Sequence, residues 1–409
     1  MIVVIGGKLS GLTVASLLAE SEQEITVLEK HSPNYPVVSI PIFFPDTLHI
    51  FDKFGFGDHL DQAGFPRIRT LSFEIYPGIR ISGCIPPNLG RNWGYAIRKE
   101  TLDHLLTKFV TERFKNINLV HNFSVQELHW EDGRVVGVRG RWRGNLTESV
   151  RADAVIGADG RNSTVANLVK AKIYRTLPSR TCFFYAYFSN VRQLYELPSI
   201  VTYIGSSIYP YHAFTQDADK GLVGVGIELP LSEFDLFKAD LKAEFVRRLH
   251  RISGLKERLE SARIESQVMG LRIPDMYYRQ AFGNGWALVG DAGLLMDPIT
   301  GQGFNNAVNS ASWLCESLHA WRVGEDWNLA LRRYEKLRDH RTKTNFERAY
   351  NSTDFYYVPE EWEIRWLKAT RRRPEKFLEM VTNKMMPEKY YSRLALARAK
   401  FFHGMLKFS

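Results

Sequence analysis

The chain has 409 residues, 44% of them hydrophobic, three cysteines, and a formal charge of +9 from 54 basic and 45 acidic residues. That size and composition suit two or three domains with buried cores and exclude a disordered chain. Cys84, Cys182 and Cys315 are odd in number and far apart, so they build neither a disulfide framework nor a Cys-x-x-Cys metal site. A reducing, cytoplasmic setting without a bound metal is expected.

Residues 365–409 hold twelve Lys/Arg and three Asp/Glu, while the preceding 364 residues carry 42 charges of each sign. The whole excess lies in one segment, which excludes a uniformly basic nucleic-acid binder and leaves a local contact with an acidic partner or membrane surface open. No apolar run approaches the roughly 20 residues needed to span a bilayer. Met1-Ile-Val-Val-Ile lacks the basic start of a signal peptide, so the first domain is expected to begin at residue 1.

In chain order, residues 2–5 read as a buried strand, followed by a glycine turn, a helix through Leu12, Val14, Ala15, Leu17 and Leu18, and a second strand over 25–29. Helical spacing returns over 99–115, and strands are expected near 118–121, 134–139 and 154–157. Between about 180 and 272 longer β segments dominate, with one helix over 233–251. The α/β pattern resumes at 286–289, with helices over 303–323 and 327–349.

Three motifs follow strands. Gly6-Gly7-Lys8-Leu9-Ser10-Gly11 opens a helix, and Glu29 ends the next strand. Such a turn can face a pyrophosphate while the carboxylate receives a ribose diol, although Lys8 replaces the second glycine of Gly-x-Gly-x-x-Gly, and a purely structural turn is the alternative. Asp159-Gly160 follows a second strand and Gly290-Asp291-Ala292 a third, continuing into Asp297-Pro298-Ile299-Thr300-Gly301-Gln302-Gly303-Phe304-Asn305. Glycines opening a helix can offer backbone N–H groups to an electron-rich ring edge. No Gly-x-Ser-x-Gly elbow, His-Glu-x-x-His or Walker loop is present.

With these motifs in this order, residues 1 to about 350 resemble the FAD-dependent monooxygenases of the para-hydroxybenzoate hydroxylase fold, and most of all a bacterial subgroup with a basic residue in the glycine turn. The resemblance implies an α/β fold. A Rossmann-like FAD-binding domain (1–70, 95–175 and 275–325) carries an inserted, mostly antiparallel β-sheet substrate domain (71–94 and 176–274), and a helical extension occupies 326–409. It also implies the cofactor contacts. Gly6, Ser10 and Gly11 would line the diphosphate turn, Glu29 the ribose, Arg98 the diphosphate side, Val125 the adenine side and Asp291 the ribityl or diphosphate. Gly301, Gly303, Phe304 and Asn305 would lie against the isoalloxazine. Asp159 and Gly160 belong to a motif linked to FAD and NAD(P)H, and Gly7, Lys8, Lys30 and Pro298 complete the cofactor-binding set. Lys8 would either approach the diphosphate or flavin or face solvent.

The activity implied is hydroxylation or epoxidation through a C4a-hydroperoxyflavin formed with O2. The fold also serves saturases of the geranylgeranyl-reductase type, non-redox cyclases with structural FAD, and halogenases, whose Trp-x-Trp-x-Ile-Pro signature is missing here. Family members usually carry an arginine shortly after the position of Ser163, where this chain has Ala166 and Asn167. NAD(P)H is therefore the electron donor only if another group binds it, and a separate flavin reductase is the alternative. Phe183, Phe184, Tyr185, Tyr187, Tyr203, Tyr209, Tyr211 and Phe214 suggest an apolar, aromatic or polycyclic substrate, although at least half are expected simply to pack the sheet. His212 is the candidate acid or base. Arg371, Arg372 and Arg373, interleaved with Trp366, Phe377, Tyr390, Phe401 and Phe402, offer a peripheral membrane contact or a site for an acidic carrier protein; the alternative is a helix packed over the substrate domain.

Overall fold

The computed structural model describes the chain except residues 22–23, 34–38, 77 and 393–409. Ile2–Ile5 is buried on both faces, as a central parallel strand must be. It sits in a six-stranded sheet ordered Phe282–Gly283, Trp286–Leu288, Ala154–Gly157, Ile2–Ile5, Ile25–Glu29, Ile117–His121. All neighbours are parallel except the short Phe282–Gly283 edge. Alternation divides the side chains. Val4, Val27 and Ile156 meet Leu12 and Val308 of the helices Leu9–Ala19 and Gly303–Arg322. Val3, Leu28 and Val155 meet Val125 and Val138 of an antiparallel sheet formed by Phe123–Glu131, Arg134–Trp142 and Leu146–Arg151.

A second sheet of eight strands collects Thr70–Ile75 and Ile79–Cys84 with segments from Thr181–Ser189 to Met269–Arg272. Its one parallel pairing joins Thr70–Ile75 to Ser199–Ile204. One face, through Phe184, Val225 and Ile227, packs on Phe237, Phe245 and Leu249. The expected single helix over 233–251 is two pieces, a 3-10 segment Leu231–Phe237 and a helix Leu241–Leu249. Asp240 starts the second by accepting the Ala243 amide at 2.9 Å, the local bond that favours a cap over helix continuation.

Beyond the long helix Trp327–Ser352, the helices Glu361–Thr370 and Glu375–Val381 fold back on the second sheet. Leu378 is buried among Ile68, Leu71 and Ile200, and Phe377 meets Phe73 edge-on at 4.9 Å. Trp366 and Phe377 both contact the buried Tyr390, while Arg371, Arg372 and Arg373 stay exposed. The apolar residues proposed for a membrane contact thus turn inward here; Phe401 and Phe402 lie outside the described residues. Among the described residues no helix is long and apolar enough to cross a membrane.

Candidate cofactor and substrate site

The three glycine motifs converge at the carboxyl ends of the parallel strands, where open α/β sheets bind ligands. Gly6 has φ +106°, and a Cβ on it would lie 2.5 Å from Ala158 O. On Gly11 a Cβ would lie 1.8 Å from Gly6 O, so the turn closes only with glycine at both positions. A Cβ on Gly290, at φ +61°, would lie 2.4 Å from Ser10 Oγ, which brings the third motif against the first. Gly7 packs on Glu29 closely enough to donate its amide to Glu29 Oε2 at 2.7 Å, while His31 N donates to Oε1 at 2.8 Å. Glu29 is buried at the strand end, and Lys30 beside it is exposed.

Two helices open here without a side-chain cap. Leu9–Ala19 starts after Lys8 and Gly303–Arg322 after Gln302, and neither has an acidic residue in its first turn. Their first-turn amides have no intrahelical acceptor and lie at the positive ends of the helix dipoles, as an anion or an electron-rich ring edge requires. A Cβ on Gly303 would meet no atom within 4 Å, so open space lies beside the start of the helix, next to the exposed Pro298. The Asp291 carboxylate, half-buried, makes no hydrogen bond among the described residues, and burial pushes its pKa up to about 6. It is an acceptor awaiting donors such as ribityl hydroxyls. Uncapped helix amides, a turn opened by Gly6 and Gly7, and a carboxylate with no hydrogen-bond donor among the described residues fit FAD.

Other expected contacts are engaged within the chain. Lys8 reaches Asp103 at 3.3 Å, an aspartate also paired with the buried Lys99, and its side chain stays partly exposed. Arg98 clasps the buried Asp219 through its amide at 2.8 Å and Nε at 3.0 Å. Asp159 accepts from Ser163 Oγ and Thr164 N, both at 2.6 Å, and so holds the start of the short helix Thr164–Leu168, whose cap is Ser163. Val125 packs against Val3 and Leu28. Asn305 is fully buried: its Oδ1 accepts from Phe44 N at 3.1 Å and Thr47 Oγ1 at 2.6 Å, and its Nδ2 donates to Ile42 O at 3.2 Å. Its side chain staples the helix to the segment 42–47, leaving only its backbone for a ring. Phe304 meets Phe43 edge-on at 6.1 Å, next to Gly301, which takes φ +66°.

Several supports carry no sequence signal. The turn bearing Asp291 is pinned by Tyr277, whose hydroxyl donates to Asp291 O at 2.6 Å, and by Arg279, which donates to Ala292 O at 3.0 Å. The buried Arg338 braces Arg279 O at 3.0 Å. Gln302 accepts from Asn383 Nδ2 at 2.9 Å and donates to Val381 O at 3.3 Å, so the C-terminal segment holds the Gly-Gln-Gly motif.

The second sheet turns its other face toward this site. Gln216 donates to Pro41 O at 3.4 Å, and Thr181 donates to Asp297 Oδ2 at 2.7 Å. Phe183, Tyr185 and Phe214 form stacked pairs on this face over Gly226. Phe184 and Tyr203 instead face the helical layer, Tyr211 packs beside it and Tyr209 is exposed, so half of the expected lining belongs elsewhere. His212 stands opposite Glu228 in register, half-buried, its pKa lowered to about 4 by desolvation.

The FAD binding domain family matches residues 1–349. The chain belongs to that family. Relatives include the FAD-dependent monooxygenases penE of Penicillium thymicola, 24% identical over 85% of this chain and 77% of its own length, and ausM of Penicillium brasilianum, 23% identical over 86% and 77%. The match to the FAD-dependent monooxygenase nodM of Hypoxylon pulicicidum, at 28% identity, covers 40% of this chain and 34% of that protein. Among solved structures, the myxobacterial chondrochloren halogenase CndH has a TM-score of 0.78 at 20% identity, covering 93% of this chain and 89% of its own. For pqsL of Pseudomonas aeruginosa, a probable FAD-dependent monooxygenase, the TM-score is 0.73 at 18% identity, with 91% and 99% covered. These likenesses establish a shared fold. FAD is the cofactor, and the monooxygenase expectation agrees with the relatives.

Proposed function

We propose that this flavoprotein is a monooxygenase that hydroxylates or epoxidises an apolar, aromatic or polycyclic substrate held between the flavin site and the aromatic face of the second sheet. The observation that carries the reading is that the sheet face bearing the stacked Phe183, Tyr185 and Phe214 is bonded, through Thr181 to Asp297 and Gln216 to Pro41, to the segments flanking the uncapped helix start at Gly303. Bound FAD supplies the redox equivalents and the activation of O2.

The chain's part is to bind, orient and exclude water. Amides of the first turn at Leu9 and Ser10 would receive the diphosphate, Glu29 the ribose, Asp291 the ribityl hydroxyls, and the turn at Gly301 and Gly303 the ring edge. The aromatic face keeps solvent from the reacting centre. His212, its pKa lowered to about 4 by desolvation, stays neutral near pH 7 and serves by hydrogen bonding rather than by carrying a charge. We place the protein in the cytoplasm, with electrons from NAD(P)H or a separate flavin reductase.

The test measures NAD(P)H oxidation and O2 uptake by the purified yellow protein against a panel of planar aromatic and terpenoid compounds. Substrate-stimulated uptake with an oxygenated product, labelled from isotopic O2, supports the reading. Product formation with neither oxidant nor reductant consumed overturns it in favour of a cyclase.

A further inference from the structure

Two carboxyl groups meet at the seam between the sheets. Glu228 lies on the strand Val223–Pro230 and is 2% exposed; Asp297 precedes the Pro298–Thr300 turn and is 3% exposed. Both face the Thr181 hydroxyl, which donates to Asp297 Oδ2 at 2.7 Å, and two neighbouring carboxyl groups withdrawn from water in this way hold one proton between them. The donors around the pair are unequally shared. Asp297 takes the Ile299 amide at 3.0 Å and the Thr181 hydroxyl at 2.7 Å, whereas Glu228 has only that same Thr181 beside it as a donor and its Oε1 is buried with no donor among the described residues. The anion therefore belongs on Asp297 and the proton on Glu228, which burial and the neighbouring carboxylate hold well above the usual carboxylate range.

The pair sits on the face already assigned to the substrate. His212 stands opposite Glu228 on one neighbouring strand and Phe183 on the other, and Gly226 follows two residues earlier on the same face. His212 and Thr181 are the polar groups facing Glu228 from its own sheet, and Asp297 faces it from the flavin side. A carboxylic acid has one proton to give, and Asp297 receives it. Leaving the remaining oxygen unsatisfied in a dry site is costly, so a donor from beyond the described residues belongs there.

We propose that Glu228 and Asp297 form a one-proton carboxyl pair whose free oxygen on Glu228 accepts a hydrogen bond from a hydroxyl or amino group of the substrate. The proposal rests on the monooxygenase reading for the word substrate, but not for the pair itself. It supplies a proton path that balances. As the substrate X–H bond breaks, its proton passes to the free oxygen of Glu228, the proton already on Glu228 passes to Asp297, and the pair's single negative charge is transferred to X. The substrate becomes the more electron-rich anion without a charge being created in the site.

Two measurements on the FAD-loaded protein test this. Infrared difference spectra at pH 7 between wild type and Glu228→Gln are expected to contain a protonated-carboxyl carbonyl band in wild type only; its absence overturns the pair. Binding of 2-naphthol and 2-methoxynaphthalene, read from the perturbed flavin absorbance, is expected to favour the naphthol about tenfold or more in wild type. Glu228→Leu should remove that preference. Equal affinity for the two probes, binding of neither, or a preference that survives in Glu228→Leu overturns substrate recognition. If the infrared band and the naphthol preference are present but no compound stimulates O2 uptake, the pair stands and the monooxygenase reading fails.

Discussion

Lys8 Nζ lies 3.3 Å from Asp103 Oδ2, tying the glycine turn to the helix Lys99–Arg113. A basic residue in place of the motif's second glycine therefore serves as an internal strut. Lys8→Met is expected to retain FAD stoichiometrically and to lose only about 1 kcal/mol, because Lys99 still neutralises Asp103. Flavin content after dialysis and denaturant unfolding check both halves; loss of FAD alone would place the ammonium at the cofactor.

Gly11→Ala has no such tolerance. Its Cβ would press on the Gly6 carbonyl at 1.8 Å, a backbone atom that cannot rotate away. The variant should lose about 3 kcal/mol or more of stability and its flavin together. Gly303→Ala, which meets open space, should fold like wild type and show only weakened or spectrally shifted flavin binding.

Asp291 makes stability depend on pH in the cofactor-free protein. Its pKa of about 6 exceeds the ordinary value near 3.9, so the stability it confers is complete below about pH 4 and lost as pH rises through 6. Cofactor-free Asp291→Asn should thus be more stable than wild type at pH 7, by about 1–3 kcal/mol, with the difference vanishing at pH 4. Adding FAD should raise the Tm of wild type more than that of the variant.

His212 works in the opposite sense. Lowered to about 4 from 6.5, it contributes stability fully above pH 6.5, lost as pH falls through 4. His212→Gln should flatten the acid side of the stability profile, and the imidazole of wild type should show no NMR titration between pH 5.5 and 8.

The C-terminal segment touches the site through Gln302 and the substrate sheet through Leu378. Leu378→Ala should cost about 2–5 kcal/mol. Asn383→Gly, which frees Gln302 and Asp46 while keeping the φ of +60°, should change the flavin spectrum with only a small loss of Tm.

How far the sequence could be read follows from how local each signal is. The strands at 2–5, 25–29 and 154–157 announce themselves through short apolar runs rich in β-branched residues, and the glycines at 6 and 11 through spacing, because backbone crowding admits nothing else. Glu29 and Asp291 could be placed because they end or follow strands. Residues whose roles arise from tertiary partners gave no such sign. Nothing near Arg98 in sequence points to Asp219, or near Asn305 to Thr47, and both contacts span more than a hundred residues. The split of the expected helix at Asp240 was legible in principle, since an Asp before a helical run is a cap signal. Which aromatics face the site depends on strand register, and alternation alone separates Phe183 from Phe184 only once the buried faces are known.

The parallel sheet takes its strands from widely separated parts of the chain: Ala154–Gly157 waits for Trp286–Leu288, and between them the ribosome must deliver most of the second sheet. At roughly 5–20 residues per second, that interval is on the order of ten seconds. During it, the nascent chain presents the open edge of an apolar parallel strand, and the segment Thr70–Ile75 has no partner to its parallel side until Ser199–Ile204 arrives. Such edges recruit other strands. Slowing synthesis between residues 157 and 286 lengthens that exposure and should lower the yield in the cell even though the finished protein is identical.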